Sequence, residues 1–468
     1  MQDEEEAVAL FSSKNNFEDT IVAIATPPGI GSVGIVRLSG ADALNIGQQL
    51  CPTIQIKTPR YVYFGHVVDP VTHTTVDEAC VLYFKGPQSY TGEDCIEVQS
   101  HGSHFVLQKI VSMCLRCGAR LAMPGEFTKR AFLQGKLDLT KAESIIDLIH
   151  STTEKSHAVA LSHVQGKLYT HIQACREQLR SIYEQIEGSI DFPDEVEGIN
   201  RKNVIQTLTE QCHDLQQIID LQDLGEHVRH GVKCVIVGKP NVGKSSLFNT
   251  LVGTDRAIVT TIPGTTRDYL ESSFQLGGMT FHVYDTAGMR ESDDYIEHLG
   301  IEKIQGLLHG ADIVIWVLDA TQPFSEEDRC ISDMLRHLPM GIILTNKSDL
   351  PRQLHLKESL LPPDWPSVDI SVKTNQGIEA ITHILYETFV KTVERIDVSL
   401  LCNVRQVNCI QIAIQAMHHM KESLVTDIED DIVSLDLKQA LLKLSEVTGD
   451  EFTESVLDGI FSRFCVGK

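Results

Sequence analysis

Lys233-Cys-Val-Ile-Val237, Gly238-Lys-Pro-Asn-Val-Gly243-Lys244-Ser245 and Ser246-Leu-Phe-Asn-Thr-Leu251 follow one another without a gap, and this stretch decides the fold. Cys234 to Val237 is apolar without a break, as a strand covered on both faces requires. The next eight residues match GxxxxGK[ST], and the last six read as a helix. Strand, glycine loop and helix in this order form a phosphate cradle. The glycines let backbone N–H groups converge on phosphate oxygens, and the helix N-terminus adds the positive end of its dipole. Lys244 is then placed for the β- and γ-phosphates, and the Ser245 hydroxyl for Mg²⁺. Asn241, Val242, Gly243 and Ser246 complete the loop. Taken alone, such a loop could equally serve ATP.

The segments downstream narrow the nucleotide. Gly264-Thr265-Thr266-Arg267-Asp268 offers a threonine hydroxyl to the metal, a role assigned to Thr266. Val283-Tyr-Asp285-Thr286-Ala287-Gly288 ends a strand with an Asp suited to sit behind the metal's own ligands, and with a Gly whose N–H can meet the γ-phosphate. Asn346-Lys347-Ser348-Asp349 follows the strand-like Gly341 to Thr345. A carboxylate at Asp349 pairs with the N1–H and N2–H₂ donors of guanine and repels the adenine edge. Ser371-Val372-Lys373 closes the series as a guanine-supporting turn. Five ordered elements in their proper contexts point to a GTPase. Nucleotide contacts are expected from the loop, from Thr260, Thr261, Ile262, Pro263, Gly264, Thr265 and Thr266, from Asp285 to Gly288, and from Asn346, Lys347, Asp349, Ser371 and Lys373.

Around this centre the chain runs to 468 residues, enough for about three domains at roughly 150 residues each. Hydrophobic residues at 42% and charged residues at 22% are globular values, which excludes disorder or collagen-like structure for the bulk of the chain. The net charge of −24 makes non-specific coating of nucleic acid a poor reading, and leaves room for a local basic patch or for RNA held by a partner. The start, Met1-Gln2-Asp3-Glu4-Glu5-Glu6, has neither a basic nor an apolar signal region, and no apolar run approaches the length of a membrane span. No membrane is expected, and the cytoplasm is the expected compartment. Twelve cysteines are scattered along the chain. Cys114-Leu-Arg-Cys117 lacks a second pair nearby, so it reads as a helix ending at Gly118 rather than as a zinc site.

Texture divides the chain. Residues 19–133 read as mixed α/β, with strands at Thr20 to Ala25, Gly34 to Leu38, Tyr61 to Val68 and Ala79 to Phe84, and a helix over 102–117. From Leu137, apolar residues recur at helical spacing and Gly and Pro nearly vanish until Asp191-Phe-Pro-Asp194. A second helical stretch runs from Lys202 to His230, and helices return at Val407 to Glu422, Leu437 to Thr448 and Glu451 to Phe461. The expected organisation is an N-terminal α/β domain at 1–133, with 1–18 disordered, and a helical domain at 134–230 and 390–468. An α/β nucleotide domain at 231–389 is inserted between the two helical halves.

The motif set resembles the Ras-like P-loop GTPases, in the branch of the TrmE-Era-EngA-YihA-Septin-like GTPases. In Ras-type sites a Gln after the DxxG motif orients the attacking water. Here that position is Met289, which cannot. The pairing of Asn241 with Thr260-Thr-Ile262-Pro-Gly-Thr265-Thr266 is similar to potassium-dependent GTPases. That resemblance implies K⁺ held by Asn241, Thr260, Ile262 and Thr265 where an arginine finger would otherwise reach. It also implies Glu297 as the residue that orients the water.

The whole chain from Asp19 onward resembles the MnmE (TrmE) family of tRNA-modification GTPases. The most specific piece is the end, Phe464-Cys465-Val466-Gly467-Lys468. The resemblance implies an N-terminal domain that forms a constitutive homodimer and binds 5,10-methylenetetrahydrofolate, with 5-formyltetrahydrofolate as an analogue. The motifs are Thr26-Pro-Pro-Gly-Ile-Gly-Ser-Val-Gly-Ile-Val-Arg37, Tyr90-Thr-Gly-Glu-Asp-Cys-Ile-Glu97 and Pro124-Gly-Glu-Phe-Thr-Lys-Arg-Ala-Phe-Leu-Gln-Gly-Lys136. They imply folate contacts at Arg37, Glu97, Lys136 and Lys468. Such contacts are chemically sensible, since a pterin edge suits a carboxylate and a glutamyl tail suits Arg and Lys. The implied activity adds a carboxymethylaminomethyl or aminomethyl group to C5 of the wobble uridine (U34) of certain tRNAs. The implied partner is MnmG, which carries FAD, in a heterotetramer. Cys465 becomes a candidate for the modification chemistry, and Lys244 and Glu297 for hydrolysis. Ile30 departs from the polar or basic residue common at its place. A rival reading is a ribosome-assembly GTPase switch, which would be expected to append a basic RNA-binding domain.

Overall fold

The computed structural model describes residues 19–195, 198–254, 270–285, 306–357, 360–426 and 428–467. Packing divides the chain into two compact units: Met1–Ile146 with His163–Gln211 and Ile412–Lys468, and Asp147–Ser162 with Cys212–Gln411.

The first unit holds strands β1 (Ile21–Ile24), β2 (Gly31–Ser39), β3 (Val62–Val68), β4 (Thr75–Phe84), β5 (Cys95–Gly102) and β6 (Arg120–Leu121). Their order across the sheet is β3-β4-β5-β2-β1-β6, antiparallel except for the parallel pair of β1 with β6. Helices α1 (Ala43–Leu50) and α2 (His104–Arg116) share a core with the sheet. Val36, Leu38, Val81, Ile96 and Val98 from the strands meet Ile46, Leu50, Leu107, Ile110 and Met113 from the helices. Strand β5 is absent from the segments expected of the sequence. Ile96 and Val98 alternate there with Glu97, Gln99 and His101, so only one face is apolar. The helix carrying Cys114 ends at Arg116, with Gly118 in the left-handed region at φ 103°.

The helical part of this unit is built on one long pair. Helix α3 (Lys167–Asp191) buries Leu168, Ile172, Cys175, Leu179, Ile182 and Ile186, a stripe spaced three or four residues apart. Helix α4 (Asp430–Thr448) packs against it with Val433, Leu437, Ala440, Leu444 and Val447 buried. The buried guanidinium of Arg176 pairs with Asp450 beyond the end of α4, and Arg201 pairs with Asp430 at 2.9 Å.

The second unit is a doubly wound sheet, with strands β7 (Val232–Val237), β8 (Leu270–Leu276), β9 (Met279–Asp285), β10 (Ile313–Asp319), β11 (Gly341–Asn346) and β12 (Ser367–Asp369). The order is β12-β11-β10-β7-β9-β8, parallel throughout except for the antiparallel edge strand β8. Every residue of β10 is buried, as expected for a central strand covered on both faces. On one face Leu247 and Leu251 of α5 (Lys244–Thr254) join Ile236, Phe281, Val283 and Ile315. On the other, Leu335 of α6 (Glu326–Leu335) joins Val235, Trp316 and Trp365. The chain is thus an α/β sheet domain with helices and a Ras-like nucleotide domain.

Candidate functional site

The phosphate loop leaves the carboxyl end of β7, between β9 and β10, where open α/β sheets bind ligands. Gly238 has φ 149°, and a side chain there would run into the Val317 carbonyl of β10. Asn241 at φ 62° and Gly243 at φ 102° turn the loop, and Gly243 lies against the Asn346 amide. Lys244 is buried at the head of α5, and its ammonium donates to the carbonyls of Gly238 at 2.9 Å and Lys239 at 2.7 Å. The Ser245 hydroxyl donates to Oδ2 of Asp285 at 2.7 Å, bringing the end of β9 to the loop. A hydroxyl beside a buried carboxylate is a hard oxygen set, which fits Mg²⁺.

The base side is assembled from the ends of β10 and β11 and the turn after β12. The Asn346 amide donates to the Val242 carbonyl at 2.8 Å, and its oxygen accepts from the Val372 N–H at 3.2 Å. Lys347, at φ 64°, donates to the Asn241 carbonyl at 3.0 Å and to Asp319 at 2.6 Å. The Ser371 hydroxyl donates to the Asp349 carboxylate at 2.7 Å, fixing an exposed acid whose other oxygen can face a ligand. Lys373 stands exposed in the turn closed by the Ser371–Gln376 bridge. An open cleft of about 340 Å³ lies between residues 239–242 and the side chains of Asp319 and Lys347. The structure therefore brings Asn241, Val242, Gly243, Lys244, Ser245 and Asp285 to one side of a single mouth, and Asn346, Lys347, Asp349 and Ser371 to the other. Ser246, the third residue of α5, is exposed. The sequence reading missed Asp319. Burial raises its carboxyl, but the hydrogen bonds from Lys347 and Thr321 outweigh it and hold the pKa below the usual range. The available signal was an Asp closing a strand as apolar as β10.

Thr260, Thr261, Ile262, Pro263, Gly264, Thr265, Thr266, Thr286, Ala287, Gly288 and Glu297 lie outside the described residues, as does Lys468.

A second constellation sits in the first unit. Arg37 of β2 and Glu97 of β5 are register partners, joined from the guanidinium to Oε1 at 2.9 and 3.0 Å. The Arg37 guanidinium stands 5.6 Å from the Tyr90 ring and 5.8 Å from the Phe127 ring. It also approaches the Gly467 carbonyl at 3.5 Å, so the chain end docks on the sheet. Gly467 has φ 101°, and a side chain there would strike the Ile24 carbonyl. Two exposed neighbours, Cys465 and Val466, precede it. Lys136 donates to the Pro87 carbonyl at 2.8 Å. Tyr90 and Phe127 were not anticipated individually, although both lie within the quoted motifs. Burial pushes the Tyr90 hydroxyl up, against the bond it shares with Thr128 and the nearby Arg37 charge. Donors, an acid and aromatic faces in one place fit a pterin-like ligand with an acidic tail.

Residues 20–136 match the family described as the N-terminus of the GTP-binding protein TrmE, and residues 139–465 match the MnmE helical domain. A protein of Geotalea uraniireducens named tRNA modification GTPase MnmE is 41% identical over 461 residues, covering 96% of this chain and 99% of that one. The protein of the same name from Thermotoga maritima is 41% identical over 453 residues, covering 96% of this chain and 100% of that one. A third, from Alkaliphilus oremlandii, is 39% identical over 459 residues. The chain belongs to the MnmE family. The MnmE helical match begins in the helices before β7 and ends in those after β12, so it brackets the nucleotide sheet. Ile30 is 98% exposed. Among the described residues no helix is long and apolar enough to cross a membrane.

Proposed function

We propose that this chain is a potassium-dependent GTP hydrolase acting in tRNA wobble-uridine modification in the cytoplasm. With the FAD-dependent partner MnmG it adds a carboxymethylaminomethyl or aminomethyl group to C5 of U34. The observation that carries the reading is the single mouth formed by the Lys244–Ser245–Asp285 side and the Asn346–Asp349–Ser371 side. The first has the chemistry of a triphosphate site and the second that of a guanine site, within a family whose relatives are named tRNA modification GTPases.

In this reading Asp349 accepts the guanine N1–H and N2–H₂, and Lys244 meets the β- and γ-phosphates. Ser245 and Thr266 would hold Mg²⁺, which would supply charge to neutralise the phosphates. Asn241, Thr260, Ile262 and Thr265 hold K⁺, a cation suited to offset charge developing on the β–γ bridging oxygen. Glu297 orients the attacking water. Arg37, Glu97, Lys136 and Lys468 hold a tetrahydrofolate that supplies the one-carbon unit, and Cys465 serves the modification rather than hydrolysis. Residues 1–133 form the folate and homodimer domain, 231–389 the G domain, and 134–230 with 390–468 the helical domain. MnmG supplies most of the tRNA-binding surface, which suits a net charge of −24.

The test is nucleoside mass spectrometry of bulk tRNA from a strain lacking this chain, restored with wild-type or Glu297→Ala copies. Loss of the C5 modification, its return with wild type and its continued absence with the variant are expected. Unchanged tRNA in the null strain would sink the modification role.

A further inference from the structure

Lys239, the first variable residue of the phosphate loop, has a partner that the nucleotide reading does not use. Its ammonium lies 2.7 Å from Oδ2 of Asp328 and 3.0 Å from Oγ of Ser325, both at the start of α6. Asp328 is 1% exposed. The same Oδ2 accepts from the Ser325 N–H at 2.9 Å and the Ser325 hydroxyl at 2.9 Å, while Oδ1 makes no hydrogen bond to any described residue. The capping box of α6 uses two reciprocal bonds: the Ser325 side chain accepts from the Asp328 N–H, and the Asp328 carboxylate accepts from the Ser325 N–H. A lysine from another element is not part of that cap, and a buried carboxylate needs such a cation if it is to stay charged.

The main chain of Lys239 faces the other way. Its carbonyl, with that of Gly238, holds the Lys244 ammonium at 2.7 and 2.9 Å. The side chain of one residue is thus tied to α6 while its backbone holds the phosphate-binding lysine.

We propose that Asp328, acting through Lys239, is a positioning residue for Lys244. The ion pair fixes the 238–239 carbonyls, and these set where the Lys244 ammonium waits for phosphate. No bond or proton is exchanged. The inference rests on the guanine-nucleotide reading above.

The test uses the full chain and fluorescent GDP and a non-hydrolysable GTP analogue, with dissociation constants read by titration and melting followed alongside. Lys239→Met leaves the Ser325–Asp328 cap in place and is expected to weaken both nucleotides by about tenfold, the worth of one charge-assisted hydrogen bond. Asp328→Asn should weaken them in the same direction, Lys239→Arg should recover most of the loss, and the double variant should be no worse than the weaker single. A simple field effect predicts opposite signs, because loss of the lysine charge weakens phosphate binding and loss of the aspartate charge strengthens it. Opposite signs, additive losses, or altered melting with unchanged affinities would each overturn the proposal. Wild-type protein that bound no guanine nucleotide would overturn the underlying reading as well.

Discussion

Asp319 and Lys347 show how one carboxylate closing an apolar strand steadies a loop. Asp319 accepts from Lys347, which also holds the Asn241 carbonyl. Because the folded pKa of Asp319 is lowered, its contribution is complete above the ordinary carboxylate value of about 4 and is lost as pH falls below it. Wild type should therefore melt above Asp319→Asn at neutral pH, and the gap between the two curves should narrow as pH falls below the ordinary carboxylate value. A gap that stayed constant with pH would count against the ion pair. The cysteines carry a second prediction at this scale. Burial pushes the Cys51 thiol up to about 12 and raises Cys114 and Cys234 further, while Cys330 and Cys465 are exposed. The thiolate is the reactive form. Iodoacetamide should mark Cys330 and Cys465 in the native chain, and peptide mapping should find Cys51, Cys114 and Cys234 only after unfolding.

At the scale of elements, α5 has two duties. Its N-terminus presents Lys244 and Ser245, and about one and two turns later Leu247 and Leu251 are fully buried in the sheet core. Leu247→Ala should cost about 2–5 kcal/mol, the range for a buried leucine truncated to alanine. Both tryptophans of the chain, Trp316 and Trp365, lie in the second unit, so urea unfolding followed by tryptophan fluorescence reads that unit. A shift in midpoint below what 1 kcal/mol gives would show that Leu247 is not a core anchor. Strands and helices of this unit were legible wherever the pattern was extreme: β10 is apolar from Ile313 to Leu318, β11 carries Ile342 to Leu344, and the loop after β7 has fixed glycines. Strand β5 was not legible, because a half-buried strand with Glu97, Gln99 and His101 on its open face resembles a polar loop when read without its neighbours β4 and β2.

At the scale of the whole molecule, the chain end is the clearest long-range contact of the first unit. Gly467 reaches β1 and the Arg37 guanidinium across 430 positions. Gly467→Ala needs a side chain at φ 101° where the Ile24 carbonyl stands, so the tail should leave the sheet with little change in the sheet itself. Tetrahydrofolate binding measured by calorimetry should then weaken by about tenfold, since one contact to a charged group is worth roughly 1.5–3 kcal/mol. Binding equal to wild type would separate the tail from the proposed folate site.

The sequence alone determined the local devices: which strand runs into the glycine loop and where glycine must stand. Each of these depends on residues within one short segment, and spacing along the chain encodes it. Only the tertiary structure decided that Ser245 meets Asp285, that Lys239 meets Asp328, that Lys347 meets Asp319 and that Arg37 meets the chain end. Those pairings follow from strand order, with β7 between β9 and β10 and β2 between β5 and β1. Strand order is a property of how whole faces pack, and no local spacing carries it.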